Sequence, residues 1–131
     1  MGDLEAMAST AIDCGFQIHK ELGPGLLESV YEILLANAIS DRGLRVERQR
    51  PVPIAYRGVA LVEAFRADLV VEGRLVLEIK SVERTAPVHA KQLLTYLRRM
   101  DQPLGLLMNF GCATFREGLK RVVNGYNALA P

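Results

Sequence analysis

Ala67-Asp68-Leu69-Val70-Val71-Glu72-Gly73-Arg74-Leu75-Val76-Leu77-Glu78-Ile79-Lys80 is the stretch whose reading decides the fold. Its two short apolar runs, rich in valine, leucine and isoleucine and broken at Glu72-Gly73, predict two buried strands joined by a tight turn. Inside those strands stand three charges: Asp68, Glu78 and Lys80. A carboxylate in a core strand forfeits several kcal/mol of solvation unless it is paired. A divalent metal ion would compensate two of them.

Strand side chains alternate faces, so Glu78 and Lys80 share one face while Leu77 and Ile79 take the other. A two-residue loop at Glu72-Gly73 would set Asp68 opposite Leu77 and scatter the triad. A three-residue loop, Val71-Glu72-Gly73, with the glycine in the left-handed position, puts Asp68 on the face of Glu78 and Lys80, and this is the expected register. Two oxygen donors then suit a hard cation such as Mg²⁺ or Mn²⁺, with positions left for water and a phosphate oxygen. Lys80 would orient the attacking water or neutralise charge on the phosphate. Spacing alone leaves an alternative open, a structural Glu78–Lys80 ion pair on a solvated face with Asp68 capping a turn.

Working outward, apolar residues at helical spacing (Met7, Ala11, Cys14, Ile18, Leu22) predict a helix from Leu4 to Leu22 that Gly23-Pro24-Gly25 ends. A second helix is expected from about Leu26 to Arg42, burying Val30, Leu34, Ala38, Leu27, Tyr31 and Leu35, with Gly43 as its stop. Strands are expected over Arg45–Gln49, Val52–Tyr56 and Val59–Asp68, with Pro53 marking an edge strand. After Lys80, Pro87 opens a helix to about Met100, followed by a strand from Leu104 to Asn109 and a terminal strand or helix from Leu119 to Asn124. The order α-α-β-β-β-α-β describes an α/β or α+β mixed sheet flanked by helices.

The chain of 131 residues, half of them hydrophobic and carrying a formal net charge of +1, suits one domain with one core spanning residues 1–131. Its apolar runs are far shorter than the ~20 residues that span a bilayer. The start, with Asp3 and Glu5 close behind Met1, is unlike a secretion signal, so a cytoplasmic location and no membrane partner are expected. Cys14 and Cys112 form no C-x-x-C unit and are expected as buried free thiols. The near-neutral charge argues against tight binding of nucleic acid by charge alone. Arg48 and Arg50 on one strand, with Lys91, Arg98 and Arg99 on the Pro87 helix, could still form a local tracking surface or simply a solvated face.

Two further groups sit on helices. Glu28 and Tyr31, three apart, share a face, as do His89, Gln92 and Tyr96. Glu28 could reach a metal directly or through water, while Gln92 and Tyr96 could hold a phosphate or a water at the site. Alone, Glu28 also reads as a first-turn acid favoured by the helix dipole, and Tyr96 as a core aromatic with its hydroxyl at the surface.

The run Gly25-x-x-Glu28-x-x-Tyr31 resembles the signature of the GxxExxY protein family, and the resemblance extends from roughly Ala11 to Asn124. It takes in His19, Leu22-Gly23-Pro24-Gly25, Gln49 before Pro51, Tyr56-x-Gly58, Arg66-Ala67-Asp68, Glu78-Ile79-Lys80, Gln92-x-x-x-Tyr96 and Gly105 to Gly111. That family is similar to the PD-(D/E)XK nuclease superfamily, whose mixed sheet follows the order read above. The resemblance implies a metal-dependent nuclease acting on DNA or RNA. Asp68 and Glu78 would be metal ligands together with the backbone carbonyl of Ile79, Lys80 the catalytic lysine, Gln92 and Tyr96 the Q-x-x-x-Y element, and Glu28 the early-helix acid. Ala67 stands where many members have proline. A homodimer would pair two sites for two strands, and a protein partner could supply specificity to a domain this small. The competing expectation is a non-catalytic nucleic-acid-binding or assembly module that keeps the fold.

Overall fold

The structure, a computed structural model, describes residues 3–126. Apolar periodicity folds Asp3–Leu22 into α1 and Glu28–Asp41 into α2. Between them the chain turns through Gly23-Pro24-Gly25, where the Tyr31 hydroxyl donates to the Gly23 carbonyl and accepts from the Leu26 N–H at 3.2 Å. The Tyr31 ring lies flat on Phe110, centroids 4.5 Å apart, so one aromatic fastens the turn to the core. The buried stripe of α2 is Tyr31, Glu32, Leu35, Ala36 and Ile39 rather than the broad face expected from its apolar residues. Leu27 is 73% exposed and Leu34 36%, because the helix can turn only one stripe toward the sheet.

Five strands follow: β1 (Val46–Tyr56), β2 (Val59–Val71), β3 (Leu75–Lys80), β4 (Leu104–Asn109) and β5 (Leu119–Val123). They lie in the sheet in chain order, β1 and β5 at the edges. β1–β2, β2–β3 and β4–β5 are antiparallel; β3 and β4 are parallel, joined by the crossover helix α3 (Pro87–Met100). The expected break between Gln49 and Val52 does not occur: β1 is continuous through Pro51 and Pro53, with a register shift between Val52 and Ile54. An edge strand has one row of backbone donors without partners, so prolines there cost no ladder bond. A four-residue helix, α4 (Phe115–Gly118), capped by the reciprocal Thr114–Glu117 pair, precedes β5. The mixed five-stranded sheet with its helices is the α+β arrangement read from the sequence.

Two apolar layers sandwich the sheet. Leu69, Val71, Leu75, Leu77, Ile79, Leu104, Leu106 and Met108 pack with α1 and α2. Val70, Val76 and Leu107 pack with Leu93 and Leu97 of α3. β3 is thus covered on both faces, as its near-continuous apolar run requires. Cys14 and Cys112 are buried free thiols. Among the described residues no helix is long and apolar enough to cross a membrane.

The ends of β3 and β4 are locked together by one buried amide. Asn109 Oδ1 accepts from the N–H groups of Val82 and Gly111, each at 3.0 Å, and Nδ2 donates to Thr85 Oγ1 at 2.9 Å and Cys112 Sγ at 3.3 Å. Gly111 fits because any Cβ there would stand 2.3 Å from the Val82 carbonyl oxygen. The loop leaving β3 is therefore held down just beyond Lys80.

Candidate active site

The β2–β3 turn is Glu72-Gly73-Arg74, with Glu72 and Gly73 both left-handed (φ 52° and 67°). The expected three-residue loop is present but one residue further along the chain, because Glu72 itself takes a positive φ and its carboxylate accepts the Arg45 N–H at 2.6 Å. A shift of the loop by one residue moves the pairing by two and preserves the face. Pairing runs from Val71↔Leu75 to Leu69↔Leu77, and the next step sets Asp68 across from Glu78.

At that step the strands exchange side-chain bonds in place of ladder bonds. The Asp68 N–H donates to Glu78 Oε1 at 3.1 Å, and the Ile79 N–H donates to Asp68 Oδ2 at 2.8 Å. Alternation in β2 also slips here: Ala67 belongs to the α3 layer, whereas Leu69 and Val71 belong to the opposite one. Asp68 therefore sits in the opening between strands.

Glu78 is only 5% exposed. Burial first, and then the negative charge of Asp68, push its carboxyl up to about 8, while the Asp68 N–H and the charge of Lys80 pull the other way without balancing them. The Tyr96 phenol is raised by burial, with contributions from the charges of Glu78 and Asp68, which brings it electrostatically to the pair. Its ring stacks on Phe65 of β2 with centroids 3.9 Å apart. Lys80 is half-buried at the end of β3, beside Asn109 of β4.

Glu32, Arg48 and Gln49 complete the cluster, and sequence reading missed Glu32. Glu32 is buried on α2; Oε2 accepts from Arg48 Nε at 3.1 Å and Oε1 from Gln49 Nε2 at 2.7 Å. The same Gln49 nitrogen donates to Asp68 Oδ1 at 3.3 Å. Burial raises the Glu32 carboxyl, and the Asp68 charge adds to it. A charge within an apolar helical stripe was the available signal, of the same kind that marked Asp68 and Glu78.

Glu28, one turn earlier, is exposed at the start of α2 and lines a groove with Leu26, Leu27, Ser81, Val82 and Glu83. It makes no hydrogen bond to Asp68 or Glu78. Gln92 is exposed on α3. His89 caps its own helix, Nδ1 accepting the Ala86 N–H at 3.1 Å. Arg48 is committed to Glu32 and Arg50 lies 3.5 Å from Glu47, so the strand arginines expected to track a backbone are paired within the chain.

Among the described residues no group of three His, Cys, Asp or Glu side chains is assembled as a metal cage. The donor set is a buried carboxylate, Glu78, beside a half-buried one, Asp68, which suits a hard cation that keeps several waters. Searches of curated proteins and of solved structures found no significant match. A family model matches residues 5–122, nearly the whole chain, and by that match the chain belongs to the PD-(D/E)XK nuclease superfamily.

Proposed function

We propose that this chain is a metal-dependent nuclease hydrolysing phosphodiester bonds in DNA or RNA. The observation that carries the reading is the acid pair in the β2–β3 opening, each carboxylate anchored on the other strand's backbone and Glu78 raised to about 8 by burial and then by the Asp68 charge. A purely structural contact has no need of a buried acid set against a second, half-buried one. Membership of a nuclease superfamily supports nucleic acid as the partner and a divalent ion as the cofactor.

In this reading Asp68, Glu78 and the Ile79 carbonyl hold Mg²⁺ or Mn²⁺, which when bound supplies Lewis acidity toward a phosphate oxygen and toward the attacking water. The Ile79 N–H fixes Asp68 in orientation through the 2.8 Å bond. Lys80 places the water in line and offsets charge developing on the phosphate. Tyr96, held protonated by burial and the two acids, donates to a phosphate oxygen. Gln92, one turn earlier on the same helix, holds the neighbouring phosphate. Glu28 contributes through water at the groove beyond β3, and Lys91, Arg98 and Arg99 follow the nucleic-acid backbone along α3.

Cleavage of labelled single-stranded, duplex and branched DNA and RNA with Mg²⁺ or Mn²⁺ tests this, comparing wild type with Asp68→Ala and Lys80→Ala. Metal-dependent cleavage by wild type, lost by at least a hundredfold in both variants, is expected. Binding without cleavage on every substrate would assign the chain to the binding-module class instead.

A further inference from the structure

Gln49 stands in β1 with a left-handed backbone (φ 53°), a conformation that disfavours long side chains. The ladder passes from Arg48↔Leu69 to Arg50↔Ala67 and skips the pair between them. The skipped residue is Gln49, directly beside Asp68. Turned out of the strand's alternation, its side chain bridges two acids from different elements, Glu32 of α2 at 2.7 Å and Asp68 of β2 at 3.3 Å, through the single nitrogen Nε2.

An amide nitrogen carries two N–H bonds, and both are spent here. Ionised carboxylates only accept, so the nitrogen and not the oxygen must face them. A cation shared by Glu32 and Asp68 would need oxygens from both at about 2.1 Å. The amide nitrogen fills that space.

We propose that Gln49 is a positioning residue that restricts the site to one divalent cation, its amide joining Glu32 to Asp68 where a second ion would otherwise bridge them. The inference rests on the metal-site reading above and concerns how many ions that site takes.

The test is Mn²⁺ titration of the full chain, followed by electron paramagnetic resonance of the free ion. Wild type is expected to bind one Mn²⁺, lost in Asp68→Asn. Gln49→Gly suits the left-handed backbone and removes the amide, and it is expected to bind two; adding Glu32→Gln to that variant returns the count to one. Gln49→Glu keeps the volume and replaces both donors with acceptors, so it too is expected to bind two, and it serves if the glycine variant fails to fold. Two ions in wild type, or one in both Gln49 variants, overturns the inference and leaves the metal site standing. No Mn²⁺ bound by wild type overturns the metal site, and the inference with it.

Discussion

Glu78 shows how one side chain ties stability to the site. Burial and the Asp68 charge raise its carboxyl to about 8, against an ordinary 4.5. The folded chain therefore holds that proton more tightly than the unfolded chain does. Its contribution to stability is complete below about pH 4.5 and is lost as pH rises through about 8. Glu78→Gln keeps the shape and the acceptor for the Asp68 N–H but cannot ionise. Without added metal, melting curves of wild type and Glu78→Gln should nearly coincide at pH 4.5, and wild type should fall several degrees below the variant by pH 9. A constant offset across that range would mean that ionisation of Glu78 is not what burial opposes. Asp68, Glu78 and Lys80 were legible in the sequence because charge inside an apolar strand has a single local signature. Glu32 carries that signature on a helix. Gln49's part in the cluster was not legible, since its positive φ and its two acceptors arise only when β1, β2 and α2 meet.

Elements place these residues through their ends more than through their middles. The β2–β3 turn was read one residue early because glycine marks a left-handed position, whereas here both Glu72 and Gly73 adopt one. Asp68 still meets Glu78 despite the error, because a pairing shift of two preserves strand parity as far as Leu69. Pro51 was expected to break the strand, yet the edge strand β1 absorbs it, while Pro53 marks that strand as an edge, as its sequence suggests. At the other end of β3, the loop to α3 depends on Asn109, whose Oδ1 and Nδ2 together serve Val82, Gly111, Thr85 and Cys112. Asn109→Ala removes the acceptor of two part-buried backbone donors, at roughly 1–3 kcal/mol for each group left unsatisfied. Urea unfolding should therefore show a loss of about 3 kcal/mol. A loss under about 1 kcal/mol would show that the loop is held by packing and that the amide is incidental.

At the scale of the whole molecule, the net charge of +1 conceals an uneven distribution. Arg42, Arg45, Arg48, Arg50, Arg66 and Arg121 are each paired with an acid. Arg84, Lys91, Arg98 and Arg99 form no ion pair among the described residues, and they lie in the β3–α3 loop and on α3, the helix that carries Tyr96. The element order was legible because the helical periodicities are long and the breakers between segments are strong; the pairing of charges was not, because partners such as Arg48 and Glu32 come together only in the folded sheet and helix. If the α3 cations track a nucleic-acid backbone, each phosphate contact releases condensed counterion and steepens the salt dependence of binding, by about 0.9 in the logarithmic slope on duplex DNA and about 0.7 on single strands. Lys91→Ala, Arg98→Ala and Arg99→Ala combined should then lower the slope by up to about 3. These side chains are exposed, so the melting temperature and the Mn²⁺ stoichiometry should stay as in wild type. The measurement is fluorescence anisotropy of a labelled oligonucleotide across a salt series, with Ca²⁺ replacing Mg²⁺ to suppress cleavage. An unchanged slope, with affinity also unchanged, would take the nucleic-acid backbone off α3 and leave its phosphate contacts to cations elsewhere on the chain.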